Sequence, residues 1–287
     1  MRRHHVGHTG PFVTWVTDVG AHRRHLLRTS RRQRKGLPAL VVPHPRTHPS
    51  AVPDEPPKAW LRFWAPGRSQ WWVAVLFMIG AALFAVGAAA TQWPIGGYGG
   101  RAIGWTYFVG ALFFTTAAYL QWTEALTNDV AEKPVHRRLH RWRFFGWRPR
   151  NLGVQAGQVQ FVGTLLFNAN TTDALFRGLG PGGENLLVWT PNMLGSVCFL
   201  VASQFAIMED SHRVFAFRPR SVSWWITAVN MAGSILFMVS AVASYTSTTG
   251  DVIAPAVANL GTLGGGLCFF AGAYLLLPEM FEKPPAP

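Results

Sequence analysis

Three glutamates, Glu124, Glu209 and Glu279, each stand 14 residues after a glycine, at Gly110, Gly195 and Gly265. Fourteen residues of helix rise about 21 Å, so a glycine toward one side of a membrane sets its glutamate at the opposite edge. Carboxylates placed there can do two things. They can pair with Arg68, Arg150 and Arg220, which begin the preceding helices at the same face, and so fix helix depth. Brought together, they can instead gather cations at a pore mouth, as acidic rings do in cation-selective channels. Pairing is the favoured reading, because a ring needs three helices to converge and the sequence does not dictate that.

A second set of candidates is neutral. Gln160 and Asn230 each precede a further glycine, Gly163 or Gly233, by three residues, one helical turn away on nearly the same face; Phe77 holds that place before Gly80. Interhelical hydrogen bonds worth about 0.6 kcal/mol each are the expected role. Asn168, Asn170, Thr171 and Thr172 crowd together, and of two readings, a small water-filled cavity or an early helix end, the early end is preferred.

No Asp, Glu, Lys, Arg or His falls near the middle of a long apolar run. This argues against a proton-driven carrier and against acid–base or metal catalysis at depth, which need titratable groups or ligands there. His136 and His140 have i,i+4 spacing without a third ligand. There is no nucleotide-binding loop and no nucleophile–base constellation, so neither an enzyme, a metal site nor a cofactor is expected. Cys198 and Cys268 read as small buried hydrophobes.

The elements that must position these residues come from the spacing of charge. Of 287 residues, 49% are apolar and 14% charged, and uncharged runs occupy 69–100, 102–123, 151–172, 185–208, 221–250 and 252–278. A hydrocarbon core of about 30 Å needs about 20 apolar residues, so each run can hold one spanning helix; Gly153–Ala174 is the most polar. Of 26 Lys and Arg, 13 precede the first run, seven lie in 127–150, three in 209–220 and one at Lys283, while the alternate loops hold only Arg101 and Arg177. The positive-inside rule then predicts a six-helix, all-α, multi-pass protein with both ends of this chain in the cytoplasm. Membrane orientation accounts for the net charge of +13 better than nucleic acid does. Expected partners are the bilayer, with anionic lipid at the cytoplasmic face, and a protein partner or second copy. No cleavable signal peptide is read, because the first apolar run follows a long basic stretch.

Residues 1–58 are rich in His, Pro and Arg without apolar periodicity, and a disordered cytoplasmic tail is predicted there. Trp60, Leu61, Phe63 and Trp64 then suggest a short interfacial helix. Trp71, Trp72, Trp122, Trp147, Trp224 and Trp225 mark one aromatic belt and Trp93, Trp105 and Trp189 the other.

The most informative feature is an internal repeat. The first helix of each pair contains Gly80-Ala-Ala-Leu-Phe84, Gly163-Thr-Leu-Leu-Phe167 or Gly233-Ser-Ile-Leu-Phe237, with Pro66, Pro149 or Pro219 14 residues before the glycine. The second helices align on Gly110, Gly195 and Gly265, four residues ahead of Phe114, Phe199 and Phe269. In lipid such glycines let helices approach closely, and hairpin packing is their expected role. Two spans per repeat give three parallel hairpins, at 59–127, 128–213 and 214–287. A pseudo-threefold bundle and a side-by-side row both satisfy the pattern.

This hairpin, with Gly-x-x-Leu-Phe in its first helix and Gly-small-x-x-Phe in its second, resembles the YrhK-like domain, a two-span bacterial membrane module. The resemblance implies a helical-hairpin fold in a bacterial plasma membrane and no catalytic residues. Three roles follow as expectations: a non-enzymatic membrane protein whose pattern serves packing and registration, which is preferred; a channel or passive transporter for a small solute, with a polar path beside Gln160 and Asn230; and a membrane anchor or partner subunit.

Overall fold

The computed structural model describes residues 63–94, 96–129, 144–149, 151–176, 178–211, 213–215, 217, 219 and 221–281. It also gives the backbone of four short strands, β1 (Arg2–His5), β2 (Trp15–Val19), β3 (Arg24–Arg28) and β4 (Leu40–Val42), paired antiparallel in chain order. The other residues of 1–58, where a disordered tail is expected, lie outside the described ones.

Between Ser69 and Glu279 the described residues form six long helices: α1 (Ser69–Gln92), α2 (Gly100–Asp129), α3 (Leu152–Phe176), α4 (Pro181–Ser211), α5 (Val222–Ala243) and α6 (Pro255–Glu279). Polar caps set two of the starts. Asn151 Oδ1 accepts from Val154 N at 3.1 Å, and Ser221 Oγ accepts from Trp224 N at 3.4 Å, each satisfying an amide the helix leaves free. Glu184–Trp189 within α4 winds as a π-helix.

Five of the six, all but α3, are long and apolar enough to cross a membrane. α3 has the length, at 25 residues, but not the hydropathy. Its polarity turns inward: Thr164 is fully buried, while Val162 and Leu165 are exposed on the outer surface. The early end expected near Asn168–Thr172 is not found, and α3 continues to Phe176. Thr171 Oγ1 donates to Phe167 O at 2.8 Å and Thr172 Oγ1 to Asn168 O at 2.6 Å, so these hydroxyls are satisfied on the helix itself.

Each helix packs chiefly on two neighbours, and α6 returns to pack on α1. The six therefore close a ring, which excludes the side-by-side row. Neighbours run in opposite directions: the starts of α1 and α5 meet the end of α6 around Trp71, Ile226 and Leu276, and the end of α2 meets the start of α3 around Trp122 and Val154.

Two sets of small residues allow this closeness. Within hairpins, a Cβ added at Gly80 would lie 3.0 Å from Gly110 O, one at Gly163 3.1 Å from Gly195 O, and one at Gly233 3.2 Å from Gly265 O. The six glycines of the repeat thus form three backbone-to-backbone contacts. Between hairpins, the residue just after each of these glycines does similar work: Ala81, Ala111, Thr164, Ser196 and Ser234 are all fully buried, and Gly266 lies against the Ala81–Ala85 backbone. At the α4–α5 seam these become polar links, with Ser203 Oγ 2.8 Å from Ser234 Oγ.

The turns into α1, α3 and α5 share a further device. The carbonyls of Pro66, Pro149 and Pro219 accept from the side chain six residues on: Trp72 at 3.0 Å, Gln155, and Trp225 at 2.8 Å. Aromatic side chains before each proline are exposed, including Trp64, Trp147 and Phe217. Phe63 and Trp64 are not helical, which removes the described part of the expected interfacial helix, while Trp60 and Leu61 lie outside the described residues. Trp71 and Trp122 are buried at 9% and 2% exposure, because Trp71 packs on Trp64, Ile226 and Leu276 and Trp122 on Phe145, Val154 and Phe161.

Candidate functional site

The axis of the ring is blocked at mid-height by six phenylalanines, all 1–7% exposed. One layer comes from the odd-numbered helices: Phe84, Phe167 and Phe237, with ring centroids 6.4, 5.9 and 5.9 Å apart. The other comes from the even-numbered helices: Phe114, Phe199 and Phe269, at 6.2, 5.5 and 6.0 Å. Cross-layer contacts of 5.5, 5.2 and 5.1 Å join Phe84 to Phe114, Phe167 to Phe199 and Phe237 to Phe269. These are favoured aromatic separations, each worth about 0.5–1.5 kcal/mol beyond burial. The repeat positions that align in sequence therefore meet in space.

A cavity of mixed polar and apolar lining lies on each side of this plug, and each is lined from all six helices. The near cavity, where the odd-numbered helices begin, has a volume of about 60 Å³. Its polar side chains include Gln70, Gln121, Glu124, Gln160, Thr227 and Asn230, and its floor includes Phe269. The far cavity has a volume of about 320 Å³; Asn170, Thr171, Asn192, Ser240 and Thr262 contribute to it, and Phe84 and Phe167 floor it. Asn170 and Thr171 thus take the alternative that the sequence reading set aside.

Gln160 and Asn230, paired by sequence position, both reach the near cavity. Gln121 Nε2 donates to Gln160 Oε1 at 3.1 Å, linking α2 to α3. Asn230 fills the space left by Gly272 of α6. Phe77, in the corresponding place on α1, lines the same cavity.

Of the three glutamates only Glu124 lines the cavity. All three are buried, at 6%, 2% and 1% exposure for Glu124, Glu209 and Glu279, deeper than a group at an open interface. Glu124 Oε1 accepts from Ser69 Oγ at 2.6 Å. Arg68 donates to Met280 O at 2.8 Å, one residue beyond Glu279, and its guanidinium stacks over Phe281 at 5.9 Å. Arg150 and Arg220 lie outside the described residues, as do His136 and His140. Ser69→Ala removes a hydrogen bond to a carboxyl group, a class worth about 1.5–3 kcal/mol. A lowered melting temperature in detergent is the expected result, with the cavity otherwise intact.

Among the contributors that escaped the sequence reading are Ser69, Gln70 and Gln121. They sit at helix ends among Trp and Arg, where polar side chains are ordinary; only their register relative to Gly80 and Gly110 carried a signal. Cys198 and Cys268, expected as small buried hydrophobes, are half-buried free thiols whose Cβ atoms lie against Gly163 and Gly233. Among the described residues no His, Cys, Asp and Glu cluster could hold a metal. No family model, no curated protein and no solved structure matches the chain.

Proposed function

We propose that this chain is a multi-pass membrane protein, built from three YrhK-like hairpins, that carries a passage for a small solute along its axis and holds it shut with the phenylalanine plug. The observation that carries this reading is a two-layer aromatic constriction between two cavities, each with amide and hydroxyl side chains among an otherwise apolar lining. Hydrophobic constrictions of this kind gate by expelling water. A bundle evolved for packing alone has no need to keep Gln, Asn, Ser and Thr pointing into two spaces on its axis, where each polar group costs free energy to desolvate.

The reading includes six spans, with α3 crossing alongside the other five because its lipid side is apolar and its polar residues face the ring. It places the near cavity, the basic loops and both ends of the chain in the cytoplasm of a bacterial cell, since Lys and Arg concentrate on that side. Exposed Trp64, Phe145, Trp147 and Phe215 beside the arginines at that face suit the boundary with anionic lipid. Solute passage needs no catalytic group, and the reading is non-enzymatic.

Cysteine accessibility tests it. With Cys198 and Cys268 replaced by alanine, single cysteines at Gly97, Gly180 and Thr248 should label from outside intact cells, and those at His140 and Phe215 should not. Ala206→Cys, in the near cavity, should then react with silver ion from the cytoplasmic side only, and Thr262→Cys, in the far cavity, from outside only. If both thiols stay unreactive from both sides, the cavities are dry packing defects and the passage is withdrawn.

A further inference from the structure

We infer that the near cavity binds one small uncharged solute that both donates and accepts hydrogen bonds, of the amide or urea class. The inference rests on the passage proposed above and names what enters it. Its starting point is Gln70, which lines the cavity, is 4% exposed, and has an Nε2 without a hydrogen-bond partner. A buried amide donor left alone costs about 1–3 kcal/mol, so an atom that accepts from it, on a solute or on a water the solute displaces, completes the site.

The other spare atoms narrow the ligand further. The bond between Gln121 Nε2 and Gln160 Oε1 leaves the opposite atoms of both amides, an acceptor on Gln121 and a donor on Gln160, without protein partners among the described residues. Asn230 adds a third amide, from α5. Turned over, any of these amides would present oxygen for nitrogen, so the complementary solute must carry both kinds of group.

Charge is disfavoured in either sign. A dehydrated cation needs a shell of oxygens, whereas in the orientation that pairs Gln121 with Gln160 the amides of Gln70 and Gln160 offer donors, and Glu124 Oε1 accepts from Ser69. An anion would face Glu124 directly. A neutral solute avoids both the desolvation of charge and that repulsion. The volume of about 60 Å³ corresponds to about two waters at ~30 Å³ each, which limits the solute to a few heavy atoms.

The test is flux through the full chain in vesicles, followed by light scattering for urea and formamide and by dye quenching for thallium ion. It is run on the native protein and in the Phe199→Ala background. Urea should pass faster than thallium, and Gln70→Leu, or Gln70→Met if the leucine variant does not insert, should reduce urea passage several-fold. Thallium passing as fast as urea, or urea passage indifferent to Gln70, would overturn the assigned ligand class. Such a failure with Ala206→Cys still reached by silver ion leaves the passage standing; an unreactive Ala206→Cys removes the passage itself.

Discussion

Replacing Phe199 and Phe237 together by alanine should raise the passage of small solutes into protein-containing vesicles by an order of magnitude or more over the native protein. The pair takes one ring from each layer. Phe199 touches Phe114, Phe167, Phe237 and Phe269, and Phe237 touches Phe84, Phe167 and Phe269, so their loss opens both triangles on adjoining sides. Water then has a wetted route between two cavities that the intact constriction keeps apart. Each Phe→Ala change in a packed core costs about 3–5 kcal/mol. The single variants Phe199→Ala and Phe237→Ala, checked for a sharp melt in detergent, therefore accompany the double one, and folded variants that stay as tight as the native protein would show that the plug is not what closes the axis.

Gly163→Leu should abolish the folded protein. A Cβ at this position would already stand 2.9 Å from both Cys198 Cβ and a ring carbon of Phe199, and 3.1 Å from Gly195 O. The carbonyl belongs to the facing helix and cannot swing aside, so the remaining leucine atoms force α3 and α4 apart and pull Phe167 away from Phe199. Overpacking usually costs about 1–3 kcal/mol; with backbone on the opposite side the cost here is at the upper end or beyond. Gly110→Leu should behave in the same direction, its Cβ meeting Phe84 at 3.1 Å and Leu83 at 3.2 Å. Gly67→Leu, with nothing within 4 Å, is the matched control. Expression level and melting temperature decide the matter, and a Gly163→Leu protein melting with the Gly67→Leu control would refute the close-contact role.

Sequence spacing carried more of this molecule than composition did. A glycine followed four residues later by phenylalanine, in six helices, indicated which residues are equivalent, but not that the six rings would meet, since a row of hairpins satisfied the same spacing. It also paired Gln160 with Asn230, which reach one cavity. Spacing alone could not say which neighbour a residue faces. Trp71 and Trp122 have the composition of an interfacial belt but are covered by neighbouring helices and by Trp64 and Phe145, and Asn170 and Thr171 resemble a helix end but line a space. The small residues that follow each repeat glycine were visible and unused, because a contact between hairpins has meaning only once the ring is known to close. Glu124, Glu209 and Glu279 align along the chain, yet only one of them borders the cavity, since helices of equal register need not be rotated equally.

The closure of α6 onto α1 has a consequence for assembly. Three free hairpins of this shape would have to find one another in the bilayer, and the fraction assembled would follow their surface density. On one chain the same encounters are intramolecular, favoured by a high effective concentration, so the ring forms equally well from a single molecule or many. Covalent linkage also frees each position from identity with its counterparts. Phe77 can stand where the other two hairpins place amides, and Glu124 can serve the cavity alone, giving a near-symmetric ring a lopsided interior that three identical subunits could not build.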